Sequence, residues 1–427
     1  KYSRRDQIRL TMHPRVFYGW IVVAVAFVTL LVSLGIRFTY SIFFVPLTRE
    51  FGWDRASTSS IFSISLLLFA AVGPFLGNLL DRVGARVVFV IGSVILGAGL
   101  ILTSTSQSLW QMIVYYSLIA SMGLAALALG MHGVVLSRWF IRRRGLAIGL
   151  AFAGTGIGTF IFSPLVERLI TIYGWRGAYL ALGVIVLVLL VPINAIWART
   201  RPQEMNALPD GDTIMVEPRA HAATQPTHTA RSALRDPRLW LLLATTFLAL
   251  TSARLILVHA VAHMVDVGFA PLFAATVFGA VGAVQAPATV AWGWISDRVG
   301  RVWAFAFGSL AVVAAIALLL LIEGNPEPTL AWMFAIAFGV GDSSRTSLIN
   351  ALTADLFEGP AFGTINGYNI TAFGLGGALG PWLGGYLFDT TGHYTIAFWF
   401  ALIATFVATL GVLAIGRRGK SAFPAKT

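Results

Sequence analysis

Long apolar runs decide the fold class of this chain before any motif does. Cut at its polar interruptions, the sequence gives twelve apolar segments, at about 17–47, 56–80, 86–106, 109–137, 145–170, 175–198, 237–264, 269–296, 301–322, 329–354, 361–388 and 394–416. Each is near the ~20 residues an α-helix needs to cross ~30 Å of hydrocarbon. Barrel strands would be half as long and would alternate, so the spans read as helices. Composition agrees, with 57% hydrophobic and 11% charged residues and a mean hydropathy of +0.80. A soluble chain of 427 residues needs more charge than this to cover its surface. Cysteine is absent, which excludes disulfides and cysteine metal sites. The stretch 1–15 is basic and polar, and the apolar run after it is too long for a signal-peptide core, so no cleavable signal is expected.

The net charge of +12 invites a nucleic-acid reading, but the placement of the basic residues speaks against it. Of the 30 Lys and Arg, 23 fall in the two tails and the even-numbered loops, and four (Arg49, Arg55, Arg168, Arg176) fall on the other side. By the positive-inside rule this asymmetry predicts cytoplasmic N- and C-termini and no nucleic-acid partner. The remaining three, Arg37, Arg254 and Arg345, lie within spans. The one extended linker, 199–236, carries Pro202, Pro209, Pro218 and Pro226 without apolar periodicity and reads as a flexible tether. It divides the chain into 1–198 and 237–427, six spans each.

The two halves repeat. "GNLLDRVGAR" at Gly77–Arg86 has a twin in "GWISDRVGR" at Gly293–Arg301, with Asp81 and Asp297 216 residues apart. Gly52 and Gly268 share that offset, as do Gly158 and Gly374, while Pro164 and Pro381 differ by 217. A common offset implies one six-helix unit used twice in parallel orientation. Each charged turn lies between the second and third helix of its half, where Asp81, Arg82, Arg86, Asp297, Arg298 and Arg301 can form contacts that latch and release. A simple topological staple of arginines around a turn glycine is the alternative.

On these residues the chain resembles the major facilitator superfamily over essentially its full length. The signature of that superfamily on this loop is matched by Gly77, Asp81, Arg82, Gly84 and Arg86, with Ala85 displacing the usual basic residue, and by Gly293, Asp297, Arg298, Gly300 and Arg301 without the gap. The resemblance implies an all-α membrane protein of twelve transmembrane helices in two pseudo-symmetric six-helix bundles, working by alternating access. "RWFIRRRGLAIGLAFAGTGIG" at Arg138–Gly158 is similar to the fifth-helix signature of the monocarboxylate-transporter-like branch. Tyr18-Gly19-Trp20 matches the end of its first-helix signature, although Arg15 stands where an acid is expected nearby. "FDTTGHY" at 388–394 is similar to the end of the eleventh helix in bacterial members. Oxalate and lactate carriers of that branch place an arginine in the eighth helix, whereas 269–296 holds no charge, so their anion site does not transfer. The resemblance also implies a bacterial inner (plasma) membrane location.

Ionisable groups within hydrocarbon are functional candidates by default. Arg37 lies 15 residues before Gly52 and Arg254 lies 14 before Gly268, which puts them at nearly equal depth, roughly 20 Å from the outer ends. In the resembling fold these helices face each other, so the pair forms a positive clamp. Guanidinium stays charged and offers a planar fork to a carboxylate. The alternative is that each arginine bonds backbone carbonyls or a buried acid. Arg345 has Asp342 three residues earlier on the same helix face, which favours an internal ion pair that a substrate carboxylate can displace. His259, His263 and Asp266 form an i, i+4, i+7 stripe that suits either a proton relay or a polar rim. Tyr40, Tyr116, Asn350, Tyr368 and Asn369 are neutral candidates for orienting an anion.

The favoured reading is a secondary transporter of a small organic anion, a monocarboxylate or short dicarboxylate, coupled to protons by symport and acting as a monomer in the bilayer. Anion exchange is next. A drug/proton antiporter needs buried carboxylates that this sequence lacks, and its Gly-Pro-Gly-Gly pattern belongs to the fifth helix whereas here it spans Gly380–Gly385 in the eleventh. Neither a nucleophile–base set nor a phosphate loop points to an enzyme, and no cofactor or metal is expected. A non-transporting sensor of this fold would carry an added signalling domain.

Overall fold

The computed structural model describes residues 17–205, 207–211, 230–357 and 362–420, and all regular structure among them is helical. Helix α1 runs in two segments, Gly19–Phe38 and Tyr40–Phe51, interrupted at Thr39. Then follow α2 (Arg55–Val83), α3 (Ala85–Ser104) and α4, which extends from Leu109 to Trp139 through a π-helical stretch, Ile113–Ala120. The run Arg144–Ile185 turns at Gly174 (φ 69°, ψ 170°). It thereby supplies α5 (144–173) and, with Val186–Leu190 and Val191–Trp197, α6 (175–197). The second half holds α7 (Pro237–Asp266), α8 (Pro271–Val299), α9 (Arg301–Gly324), α10 (Pro328–Leu356), α11 (Phe362–Thr391) and α12 (Thr395–Lys420).

Local chemistry fixes the ends. The Asp54 carboxylate accepts the Ser57 N–H at 2.6 Å and starts α2, and Asp236 accepts the Arg238 N–H at 2.8 Å ahead of Pro237. Gly84 (φ 84°, ψ 165°) and Gly300 (φ 86°, ψ 150°) turn the chain in the same way in the two charged loops, in a conformation an L side chain rarely adopts. Among the described residues, nine helical stretches are long and apolar enough to span a membrane by composition. One of them, Arg144–Trp197, doubles back at Gly174, and α10 and α11 complete the twelve. Those two are more polar because α10 carries Asp342, Ser343, Ser344, Arg345 and Ser347, and α11 carries Asn366, Asn369 and a run of glycines.

Helices in lipid gain little from burying apolar surface against each other, so close backbone approach carries the packing. A Cβ added to Gly154 or Gly158 of α5 would overlap the carbonyl oxygen of Phe27 or of Leu31 in α1. The second half repeats the arrangement, with Gly376 and Gly380 of α11 pressed in the same way on the Phe247 and Thr251 oxygens of α7. Across the seam between halves, Gly156 of α5 leaves no room for a side chain against the Gly282 oxygen of α8, and Gly385 of α11 leaves none against the Arg55 backbone of α2.

These contacts correct the equal-depth expectation. Phe27 and Phe247 are 220 apart, as are Leu31 and Thr251, whereas the loop landmarks keep 216. Arg37 lies six residues beyond its packing anchor Leu31, and Arg254 only three beyond Thr251. The two arginines are therefore staggered by three residues, ~4.5 Å along the helix axis.

The seam is closed at one end only. We call the end with the two charged turns the basic face. Near it, Gly73 and Gly77 of α2, Gly145 and Gly149 of α5, Gly293 of α8 and Gly363 and Gly367 of α11 have open space where a Cβ would point, with nothing within 4 Å. Phe75 is 77% and Val290 66% exposed there. The halves thus splay at the basic face and meet at the opposite one. The linker is not free from its start, because the Asp210 carboxylate accepts the Ile141 and Arg142 N–H groups at 3.0 and 2.8 Å.

Replacing Gly158 by Leu is expected to lower the thermal unfolding midpoint sharply or abolish monodisperse protein, since overpacking of a tight contact costs about 1–3 kcal/mol or more. Gly145→Leu, with open space around it, is expected to change stability by no more than about 0.5 kcal/mol. Size-exclusion and melting curves of the purified variants compare the two.

Candidate functional site: a chamber between the halves

Arg37 is 5% exposed, and its guanidinium sits 4.0 Å from the ring centroid of Phe69 in α2. It has no acidic partner among the described residues. Beside it stands Tyr116, in the π-helical part of α4, a distortion that often marks functional sites. The Tyr116 hydroxyl is buried and lacks a hydrogen-bond partner among the described residues. Arg254 of α7 is partly exposed and likewise forms no hydrogen bond or ion pair among the described residues. Its side chain runs past Gly377 of α11 at the level of Leu66 in α2, with both Arg254 Cγ and Leu66 Cδ1 3.7 Å from a Cβ placed on that glycine. The charge of Arg254 acts on both Arg37 and Arg345. Two guanidinium groups, one per half and both without a carboxylate, therefore share one electrostatic region.

Several expected ligands are instead engaged elsewhere. Arg345 is 1% exposed and does not pair directly with Asp342. One of its terminal nitrogens donates to the Ala249 carbonyl of α7 and the other to Thr405 Oγ1 of α12 at 3.0 Å. The i, i+3 spacing puts the two on one face, but the guanidinium reaches inward to tie three helices of its own half. Asp342 accepts from the Gln285 amide of α8 at 2.9 Å, within the stretch 269–296 that carries no charge. Tyr40 donates to the Thr58 carbonyl at 2.6 Å, and Asn369 accepts from Thr246 at 2.7 Å and reaches Thr353 at 3.4 Å. These serve packing within one half. Asn350 is exposed toward the basic face, and Tyr368 is half-buried against an apolar cluster of the second half that includes Leu242, Leu348 and Ile365.

The histidine stripe belongs to the seal at the opposite face. Arg55, at the start of α2, pairs with Asp266 at 2.7 Å, donates to the Tyr394 hydroxyl at 2.5 Å and lies 3.6 Å from the Phe388 ring centroid. Asp389 of α11 accepts the backbone N–H groups of Arg55 and Ala56 at 2.9 and 2.7 Å. His259 bridges the Tyr394 hydroxyl at 3.0 Å, the Pro381 carbonyl at 2.8 Å and Ser59 at 3.3 Å. His263 bonds the Leu319 carbonyl at 3.0 Å. In the sequence Arg55 stands out only as one of the few basic residues on the sparse side, and that rarity is the available signal. Among the described residues no group of three His, Asp or Glu side chains is arranged to hold a metal.

At the basic face the charged turns tie inside their own halves. Arg138 of α4 meets Asp81 at 2.5 Å, and Arg86 donates to the Ile196 carbonyl at 3.2 Å. Arg301 meets Asp297 at 2.7 Å and Asp355 of α10 at 3.6 Å, while Arg298 stacks 3.5 Å over Trp294. Arg82 is exposed. The Tyr18-Gly19-Trp20 end of α1 packs on Trp139 and Phe140 at the end of α4, so the two signature fragments form one aromatic cluster.

The profile of the Major Facilitator Superfamily matches residues 25–284 and 243–426. The chain is similar to monocarboxylate transporter 13 of Rattus norvegicus, at 30% identity over 92% of this chain and 87% of that protein. It is also similar to monocarboxylate transporter 12-B of Danio rerio, at 29% over 93% and 87%, and to monocarboxylate transporter 12 of Homo sapiens, at 27% over 93% and 80%. These relatives are vertebrate proteins. Among solved structures, a bacterial homolog of the human lysosomal transporter Spinster, inward-facing and unoccupied, superposes with a TM-score of 0.72 at 14% identity, covering 94% of this chain and 98% of that one.

Arg345→Ala is expected to lower stability, since each hydrogen bond to a charged group contributes about 1.5–3 kcal/mol, while leaving ligand-induced thermal stabilisation in place. Arg55→Gln is expected to widen the distance between spin labels placed on the two halves at the opposite face, read by pulsed electron resonance.

Proposed function

The chain belongs to the major facilitator superfamily, in its monocarboxylate-transporter branch, and on that premise we propose that it carries small organic anions, monocarboxylates or short dicarboxylates, by alternating access with proton symport. The observation that carries this reading is the pair of guanidinium groups without carboxylate partners among the described residues, Arg37 and Arg254, one from each half of a chamber open to the basic face. When no substrate is bound, water reaches the partly exposed Arg254, and the Arg37 guanidinium rests on the Phe69 ring. A carboxylate entering from the basic face finds a planar donor set on either side and satisfies both halves at once. Tyr116 offers a hydroxyl donor beside Arg37, and Phe69 restricts the guanidinium to one plane. Binding energy is then shared across the seam, which draws the halves together and closes the open end.

Asp342 is the acid of the C-terminal half nearest this chamber and the proton carrier in this scheme. Its proton neutralises the carboxylate that would otherwise repel an anionic substrate. The Gln285 amide bond at 2.9 Å also suits an Asp342 that stays ionised throughout, and on that ground anion exchange is the second reading. The charged turns at the basic face, tied here within their own halves, would meet when that face closes. We place the basic face in the cytoplasm of a plasma membrane, a bacterial inner membrane on the sequence reading, with both termini on that side and the monomer as the working unit.

Lactate, pyruvate, oxalate and malonate, screened by thermal shift on purified protein, are expected to include at least one stabilising ligand. Arg37→Ala and Arg254→Ala are each expected to abolish that shift. Stabilisation by cationic drugs in place of acids would reverse the assignment. Asp342→Asn is expected to flatten the pH dependence of uptake under symport and to leave it unchanged under exchange.

A further inference from the structure

Glu167 of α5 is 8% exposed and has no ion pair among the described residues. Its position on the helix is fixed by its neighbours. Gly156, Thr159 and Ser163 all press on α8: a Cβ on Gly282 would lie 2.5 Å from Thr159 Cβ, and one on Gly279 3.3 Å from Ser163 Cβ. Glu167 follows Ser163 by four residues and Gly156 by eleven, so it stays on that face. It therefore sits in the seam between the halves, in the part that is closed here, one turn nearer the opposite face than the Ser163–Gly279 contact.

Among the described residues no positive charge meets it there. Across the seam, α8 has no ionisable residue anywhere in 269–296, and Ala275 stands one turn from Gly279 toward this level. On α1, Arg49 and Glu50 are at the exposed end, with Glu50 engaged by Arg176 and Trp175 at the start of α6. The neighbouring Arg168 is exposed on another side of α5. The Thr171 hydroxyl, one turn on, donates to the Glu167 backbone carbonyl at 2.9 Å.

We propose that Glu167 is a proton-binding site of the transport cycle, loaded while the opposite face is open and occluded, protonated, when the α5–α8 seam closes. The proton is taken from and returned to the same face, so the site sets the closure of the seam, apart from the anion chamber, and carries no proton across the membrane. Enclosing an ionised carboxylate without a partner is unfavourable by several kcal/mol, whereas the neutral acid can be enclosed with Thr171 nearby. Closure of the seam thus selects the protonated form, and reopening releases the proton to the opposite face. The sign separates this site from the rest of the seal. The Arg55 contacts are held by the negative charge of Asp266 and Asp389, so neutralising a carboxylate there loosens the seal. At Glu167 alone, acid favours the sealed state.

The test uses the full chain, whose lack of cysteine permits spin labels at Ile172→Cys and Glu327→Cys on the two halves of the opposite face. In wild-type proteoliposomes the ratio of sealed to open distances is expected to rise as pH falls, by up to about tenfold per unit for one linked proton. In Glu167→Gln and Glu167→Ala that rise is expected to be lost, leaving the ratio flat or falling. A sealed fraction that still rises on acidification in either variant overturns the proposal. So does a wild type whose ratio fails to rise.

Discussion

A guanidinium group without a carboxylate partner inside a bilayer protein needs water, an aromatic face or hydrogen-bond acceptors to compensate its charge. Among the described residues Arg254 is partly exposed, and Arg37, 5% exposed, lies on the Phe69 ring. The same physics separates Arg345 from them. At 1% exposed, it donates to Ala249 and Thr405 through its terminal nitrogens, while its Nε has no partner among the described residues, so its charge serves cohesion. The three intramembrane arginines thus divide by what compensates their charge.

Much of this is legible in the sequence. Span count, the repeated half and the turn glycines follow from apolar run length and from positions with special backbone demands, which are local properties. Gly84 and Gly300 occupy matching conformations as the repeat requires. The depth of the arginines is less legible. Loop landmarks align the ends of helices, whereas glycine contacts align their middles, and in this chain the two registers differ by about one turn. Helix spacing also puts Asp342 and Arg345 on one face correctly, yet a side chain as long as arginine chooses partners from other helices that no single-helix pattern can see.

The seal at the opposite face is hidden for a related reason. Arg55, Asp266, Asp389 and Tyr394 come from three helices and the turn before α12, and from sequence positions more than 300 residues apart at the extreme, so none of these partners falls in a window around Arg55. The histidine stripe is visible, but its role depends on Tyr394 and Pro381 lying across from it. What composition does signal is scarcity. A charge on the sparse side, an amide in an uncharged stretch and an acid in a glycine-rich one are the residues around which the structure organises its contacts.

The capping of α2 by Asp389 ties secondary structure to domain position. The first two free N–H groups of that helix belong electrically to a carboxylate on the other half, so the terminal turn is complete only while the halves touch. Separation hands those amides to solvent and frees the turn to fray. Amide hydrogens at Arg55 and Ala56 therefore act as a built-in reporter of closure, protected in one orientation of the protein and exchangeable in the other.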